Sequence, residues 1–453
     1  MNYTDFTIRA RDWQGSHFKV EVTQSPVDRM RAAEEVAYPS GTARLLRSLE
    51  RKNISFEQLR GLGEALAQSL LPPTVRHMLS QSLAGLGAQD GLRLRLVLDD
   101  ARVANLPWEY IYWSRAGEGL GLDGFLALDP RLSLVRHEAM PAAPAPLRAG
   151  WPLKLVVGLA APRDLPTLDL EAERTLIEEA LGGVHGVEVV CVDHLTVSRL
   201  EAACQNAHIF HFAGHANFVW DKEERQGVGL IYLEDEAGER LPFPVQHLAL
   251  TLRAGGVRLA VLGGCETGRR DGVNVWTGIA PALMQVGIPA AVAMQYTVYD
   301  DAAIAFARRF YQALAAGLSL DEAVVAGRLA MLNQGAPGDA EWGVPVLYMR
   351  SADGIIFPEV AADPALEPLR QQQRVTIGQR VAELHAELTG LEIAQAGMVD
   401  LEVTQEIDRV SQGGSVIGAR IERLNGGLVQ ASQRVGEVSH GGRLVGVRFG
   451  GKG

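Results

Sequence analysis

The sequence predicts an α/β protein built on a mostly parallel sheet with helices on both faces. Three observations carry that expectation. First, apolar, β-branched-rich runs recur at 153–160 (L-K-L-V-V-G-L-A), 187–192 (V-E-V-V-C-V), 208–215 (H-I-F-H-F-A-G-H) and 257–264 (V-R-L-A-V-L-G-G). Runs of this length read as strands buried on both faces. Second, stretches with helical periodicity separate them, near 168–181, 196–206 and 275–286. Strands alternating with helices are the signature of crossover-connected parallel strands. Third, the third run ends in His215 and the fourth is followed by Cys265. Open α/β sheets present reactive groups at the carboxyl ends of their strands.

Taken in chain order, residues 1–48 alternate weakly and read as a small β-rich lead-in. Residues 54–86 carry helical periodicity, with Leu59, Leu62, Leu66 and Leu70 on one face. L-R-L-R-L-V-L at 92–98 alternates as a strand does. The Pro/Ala-rich stretch 140–147 reads as a linker. Residues 227–252 look like an inserted hairpin or loop. A strand at 289–295, two further helices and a last strand at 344–349 follow the cysteine region.

From about residue 360 the character changes. Leu366, Leu369, Ile377, Val381, Leu384, Leu388 and Leu391 suggest a long amphipathic helix. After it the chain repeats itself: T-Q-E-I-D-R-V-S-Q-G-G-S-V-I-G-A-R-I at 404–421 aligns with S-Q-R-V-G-E-V-S-H-G-G-R-L-V-G-V-R-F at 432–449, an offset of 28 residues (432 − 404). Gly-Gly between short alternating runs is a hairpin signal. Repeats of this length stack or present an interaction surface. The expected division is therefore 1–147, 148–357 and a tail, 358–453, of a helix plus two 28-residue β-hairpin repeats.

Composition narrows the function classes. The chain has 453 residues, is 47% hydrophobic and 21% charged, and carries a net charge of −11 without a basic run. Binding to nucleic acid needs clustered Lys and Arg to neutralise phosphates, so direct nucleic-acid binding is not expected. No apolar run of membrane-spanning length occurs, and the first residues lack the basic-then-apolar pattern of a secretory signal. Only Cys191, Cys204 and Cys265 are present. That sparse, odd set speaks against a disulfide framework or a multi-cysteine zinc site. The expectation is a cytoplasmic protein with no cofactor and no metal.

An imidazole and a thiol delivered to one sheet edge suit a cysteine hydrolase, because imidazole activates a thiol. The alternative for Cys265 is a buried inert thiol, the reading given to Cys191 and Cys204. His211 lies inside the apolar run and reads as structural. The spacing of 50 residues (265 − 215), histidine first, matches the caspase arrangement, although the caspase signature around the cysteine is absent.

Several motifs extend that likeness: H-F-A-G-H-A at 211–216, G-C-E-T-G at 264–268, L-P-W-E at 106–109, F-L-A-L-D-P-R-L-S-L-V-R at 125–136, G-I-A-P-A-L-M-Q-V-G-I-P-A-A-V-A at 278–293, F-Y-Q-A-L-A-A-G-L-S-L-D-E-A at 310–323 and W-G-V-P-V-L-Y at 342–348. Together, and in this order, they resemble the CHAT family of caspase-like peptidases, related to separase. The chain departs from many relatives at Gln295, where they carry tryptophan, and at Gly264.

The resemblance implies a caspase-like fold in which residues 1–147 form a degenerate half without a dyad and 148–357 the catalytic half. It implies a regulated cysteine endopeptidase acting on protein or peptide substrates through His215 and Cys265. The backbone N–H groups of Ala216 and Cys265 would form the oxyanion hole. Gly214 is expected to permit the turn that exposes His215. Asp300, Asp301 and Glu266 are candidates to bind a basic substrate residue. For Asp300 and Asp301, helix N-capping is the competing reading. Bacterial relatives act in defence or programmed death, and the tail would then recruit an activating partner. The rival readings are a caspase-like scaffold without chemistry, and a nucleotide-binding sheet, which lacks its glycine motifs here.

Overall fold

The computed structural model describes residues 1–27, 33–87, 90–114, 122–137, 151–181, 184, 186–221, 226–264, 276–296, 298–334, 339–351 and 353–374, and in the C-terminal repeats 401–410, 415–417, 420–421, 429–438, 443–445 and 448–449. The linker at 140–147, Cys265, Glu266, and Ile377 through Leu391 of the expected long helix lie outside the described residues. The chain divides into two compact units, residues 1–112 with 126–373, and residues 113–125 with 374–453.

In the first unit, β1 (Asn2–Gln14), β2 (His17–Gln24) and β3 (Ala33–Ala37) form the lead-in. They are followed by α1 (Ala43–Glu50), α2 (Phe56–Leu70) and α3 (Pro73–Ala84). Leu59, Leu62, Leu66 and Leu70 are all fully buried on α2, as their spacing predicts. Ser55 and Gln58 close a capping box at its start. β4 (Asp90–Leu98), α4 (Ala101–Ala104) and β5 (Leu132–Arg136) complete this half.

The next stretch holds β6 (Leu153–Ala160), α5 (Leu170–Leu181), β7 (Val187–Val192), α6 (Val197–Ala203) and β8 (Ile209–Gly214). β9 (Ala216–Asp221), β10 (Gln226–Glu234) and β11 (Arg240–Pro244) form a separate three-stranded antiparallel sheet. The expected insertion is thus a hairpin only as far as Pro244. Residues Val245–Gly255 form a helix, α7, whose Val245, Leu248, Ala249 and Leu252 are buried at 3.6-residue spacing. β12 (Leu259–Gly264), α8 (Trp276–Val286), β13 (Ala290–Met294), α9 (Asp300–Ala315), α10 (Leu320–Gln334), β14 (Pro345–Met349) and α11 (Pro358–Ala361) follow.

One eleven-stranded sheet runs through the unit in the order β3-β2-β1-β4-β5-β14-β13-β12-β8-β6-β7. The neighbours from β13 to β7 are all parallel. β1, β4, β5 and β14 are also parallel to one another, but β14 runs antiparallel to β13. Two parallel blocks of opposite direction therefore meet at β14–β13. Phe210 and Phe212 of β8 pack with Leu248, Leu252 and Leu283 of α7 and α8 on one face. His211 meets Tyr311 of α9 on the other. The α/β expectation, with helices on both faces, is met.

The Leu/Arg alternation of β4 has a different basis from a wetted face. Arg93 is fully buried, and its Nε and Nη2 donate to both oxygens of Asp321 on α10, at 2.9 and 2.6 Å. A second buried network lies where the blocks meet. Glu109, fully buried, accepts from Arg136 Nε at 3.1 Å and Nη2 at 2.7 Å, and from Gln295 Nε2 at 3.1 Å. Burial opposes the Arg136 charge, yet the adjacent Glu109 carboxylate raises its pKa above the ordinary guanidinium value.

The tail corrects one expectation. β15 (Leu401–Val410), β16 (Ser415–Ile417) and β17 (Arg420–Ile421) belong to the first repeat. β18 (Val429–Val438), β19 (Arg443–Val445) and β20 (Arg448–Phe449) belong to the second. Among the described residues, no strand of either copy pairs with another strand of the same copy as a hairpin would. Each strand pairs in parallel with its equivalent in the other copy, from Leu401↔Val429 to Ile421↔Phe449, always 28 residues apart. The Gly-Gly pairs themselves lie outside the described residues.

Removing Glu109 leaves an uncompensated guanidinium in the interior. Glu109→Ala should destabilise the first unit by about 3–5 kcal/mol, read from urea unfolding. A loss no larger than that of an exposed Glu→Ala change would contradict the structural role assigned to the pair.

Candidate active site

Parallel pairing of β8 and β12 runs in register from Ile209↔Leu259 to Gly214↔Gly264. Both strands end on the same rung. His215 is the residue after one strand, and Cys265 is the residue after the other in sequence. Cys265 and Glu266 themselves lie outside the described residues. β13 is parallel to β12, so the segment from Gln295 into α9 leaves the same sheet edge. Asp300 and Asp301 are the first two residues of α9, and Tyr299 is its N-cap without a side-chain capping bond. The N-capping alternative for the two aspartates is therefore corrected by one or two positions. Asp301 is exposed, and the side chain of Asp300 lies outside the description. Carboxylates in a first turn complement the helix dipole.

His215 is 4% exposed and held through backbone groups. Its Nε2 lies 2.8 Å from the Pro166 carbonyl oxygen. A carbonyl can only accept, so Nε2 carries the proton and donates it. In the neutral ring Nδ1 is then the basic nitrogen. The His215 carbonyl accepts from the Tyr232 N–H at 2.9 Å. Pro166 sits in the loop after β6, and the β10–β11 hairpin fastens that loop. Ala161 N–H donates to Glu234 Oε1 at 2.9 Å, Arg163 N–H to the Gly238 carbonyl at 3.0 Å, and Arg240 N–H to Asp164 Oδ1 at 2.8 Å. Sheet order reverses between β6 and β8, and the crevice at such a reversal is where α/β sheets hold their ligands.

Gly214 serves a different purpose from the one its position suggests. It is absent from the left-handed residues, and it ends β8 in register with Gly264. A Cβ there would lie 2.9 Å from the Ala160 carbonyl oxygen and 2.7 Å from Phe212 Cζ. Close approach of β6, not positive φ, requires the glycine.

Ala216 begins β9 opposite Ile231. Because Tyr232 N–H bonds the His215 carbonyl, Ala216↔Ile231 is a non-hydrogen-bonded pair of the antiparallel ladder. The Ala216 N–H therefore points away from β10. Donors of this kind, fixed by a ladder but not consumed by it, suit an oxyanion.

Cys204 and His211 are buried, and Cys191 is partly buried. Burial pushes the Cys204 thiol up to about 12 and raises Cys191 as well, so neither is a thiolate near neutral pH. Burial pulls His211 down to about 4, and its Nδ1 lies 3.2 Å from Tyr311 Oη. Gln295, where the chain departs from many relatives, is buried, donating to Glu109 and to the Gly343 carbonyl at 2.8 Å. Among the described residues, no group of three or more His, Cys, Asp or Glu could hold a metal, and no helix is long and apolar enough to cross a membrane. Sequence reasoning missed Pro166 and Glu234. The first acts through a backbone carbonyl, which no residue type announces. The second had one signal, an acid closing the apolar run V-G-L-I-Y-L-E.

A family profile described as the CHAT domain matches residues 60–354, more than half of the chain. The chain belongs to the CHAT domain family. Among solved structures, this CHAT chain is similar to the Arg-specific cysteine proteinase gingipain R, with 9% identity over 70% of this chain and 75% of that one and a TM-score of 0.40. It is also similar to the separase–securin complex of Saccharomyces cerevisiae, with 12% identity over 77% of this chain and 30% of that one and a TM-score of 0.41. Comparison with curated proteins gives no match.

Two outcomes follow for the histidines of this CHAT chain. In ¹⁵N NMR spectra at neutral pH, neutral His215 should be the Nε2–H tautomer; an Nδ1–H ring would contradict the Pro166 contact. His211 makes stability depend on pH. Between its ordinary 6.5 and the folded value of about 4, the unfolded chain takes up a proton that the folded chain refuses. Its contribution is fully present above pH 6.5 and is lost as pH falls towards 4, a difference (6.5 − 4) on the order of 3 kcal/mol. His211→Gln should flatten the acid limb of unfolding free energy against pH by about that amount. An unchanged slope would show that His211 does not stay neutral.

Proposed function

We propose that this CHAT chain is a caspase-like cysteine endopeptidase working through His215 and Cys265. The observation that carries the reading is the shared register of β8 and β12, which makes an imidazole and a thiol the next residues on neighbouring strands. The Cys265 sulfur attacks the peptide carbonyl carbon, and the thiol proton passes to His215. Negative charge on the carbonyl oxygen is met by the N–H groups of Ala216 and Cys265. The C–N bond breaks, His215 gives its proton to the leaving amine, and a thioester remains. Water then attacks with His215 as base, releasing the carboxylic acid and restoring the thiol. The Pro166 carbonyl stabilises the imidazolium that forms between these transfers. No cofactor enters the cycle.

Asp300 and Asp301, at the start of α9, with Glu266, would pair with a basic residue of the substrate. Residues 1–147 are read as a degenerate caspase-like half, 148–357 as the catalytic half, and 358–453 as the region through which an activating or recruiting protein acts. A cytoplasmic effector in defence or programmed death fits this organisation.

A diverse peptide library, with cut sites mapped by mass spectrometry, tests the proposal. Wild type should cleave, Cys265→Ala should not, and both should unfold at the same denaturant concentration. Asp300→Ala or Asp301→Ala should lower kcat/KM for cuts after Arg or Lys by about tenfold while sparing other sites. Cleavage that survives in Cys265→Ala would sink the reading. An equal loss on all substrates in the aspartate variants would assign those residues to folding.

A further inference from the structure

The C-terminal repeats pair with each other in a way that leaves the pairing unfinished. Three two-stranded parallel ladders, β15–β18, β16–β19 and β17–β20, join the repeats at a constant offset of 28 residues. Among the described residues, each of these strands pairs along one edge, and no described strand pairs with its other edge. The two copies are alike in sequence, so the outer edge of the second repeat is a template for another first repeat. We propose that the repeats stack head to tail between copies of this chain, the β18–β19–β20 edge of one copy pairing in parallel with the β15–β16–β17 edge of the next.

Charge at the paired positions supports this occupant. Within one chain, Glu406 stands opposite Arg434, and Arg409 opposite Glu437. In the proposed stack, Arg434 of one copy stands opposite Glu406 of the next, and Glu437 opposite Arg409. The junction between copies thus repeats both opposite-charge pairs of the internal junction. Apolar positions recur likewise: Ile407 with Val435, Val410 with Val438, Val416 with Leu444, Ile417 with Val445 and Ile421 with Phe449. Identical rungs in register would have placed like charges together, which is unfavourable. Of the charged pairs in register, Arg420↔Arg448 alone is of like charge, and the chain already tolerates it internally. A head-to-tail interface closes into a ring only where the rotation between units closes, and rungs stacked in parallel along a ladder advance by translation instead. The assembly is therefore open-ended. This inference goes beyond the peptidase reading and stands whether or not Cys265 is a nucleophile.

The test uses the full chain and a fourfold charge swap, Glu406→Arg, Arg409→Glu, Arg434→Glu and Glu437→Arg. The swap keeps every internal pair opposite in sign, and every junction between swapped copies too. A mixed junction carries two like-charge pairs. Analytical ultracentrifugation should show wild type growing through a series of sizes with concentration, and the swapped chain doing the same. Differently tagged wild-type and swapped chains should co-assemble about tenfold or more less well than like with like. A wild type that stays monomeric, that stops at a closed dimer, or that mixes freely with the swapped chain would overturn the proposal. So would a swapped chain that is folded by circular dichroism yet fails to assemble with itself. Should the fourfold swap not fold, Glu406→Arg with Arg434→Glu carries the same comparison.

Discussion

The Glu109 carboxylate is the point on which the large sheet turns. It receives two bonds from Arg136, the last residue of β5, and one from Gln295, the first residue past β13. Those residues belong to the two oppositely directed blocks. The direct strand pairing between β5 and β14 is a single register pair, Tyr348↔Arg136. So thin a ladder would hold β14, and the block that pairs with it through β13, only weakly to β5. Arg136 also donates to the carbonyls of Leu106 and Ala104, and Gln295 to that of Gly343. The network therefore fastens the L-P-W-E segment, the end of β5, the exit of β13 and the approach to β14 in one dry place. A fully satisfied buried network of this kind rigidifies what it joins, whereas a partly satisfied one is costly.

The buried strands β6 and β7 were legible because apolar runs bounded by turn residues have few alternatives. The run at 153–160 is β6 to the residue, and 187–192 is β7. Features that depend on a distant partner were not legible. Arg93 and Arg95 read as a polar stripe until Asp321, 228 residues away, covers the first of them. α7 was hidden because V-Q-H-L-A-L-T-L directly follows the strand at Arg240–Pro244, and no capping residue marks the junction. For the candidate site, His215 and Cys265 could be proposed from the sequence because side-chain chemistry is written in residue type. The groups that orient His215 are a carbonyl and an N–H, which every residue carries.

Placement of the imidazole accordingly passes through the backbone of three elements. β8 fixes the rung on which His215 stands, β10 fixes its carbonyl, and the β6 loop fixes its ring. The hairpin that looks like an insertion is what connects the last two. Glu234 is central there: one oxygen accepts from the Ala161 N–H at the exit of β6, and the other lies 3.0 Å from His194 Nδ1 beyond β7. A ring held by rigid strands needs little reorganisation when a proton is transferred, and preorganisation of this sort is where electrostatic catalysis gains most.

The repeats show how one sequence pattern serves two folds, and what separates them. Alternating residues around Gly-Gly suit a hairpin, whose strands lie next to each other in sequence and run antiparallel. They equally suit a rung, whose strands pair with the same positions of another copy. Repeat length decides between them. Parallel partners need a connection of a dozen residues or more, and the chain from Val410 to Val429 provides it while laying down the shorter strands of the same rung. A hairpin would pair residues across Gly-Gly and so bring unlike positions together. The 28-residue register instead pairs like with like at every apolar position and unlike charge with unlike charge at Glu406 and Arg409. A hairpin gains nothing from that charge pattern, because its strands never bring those residues together. It favours a rung stacked on a rung, and it is equally favourable when the neighbouring rung comes from a second chain.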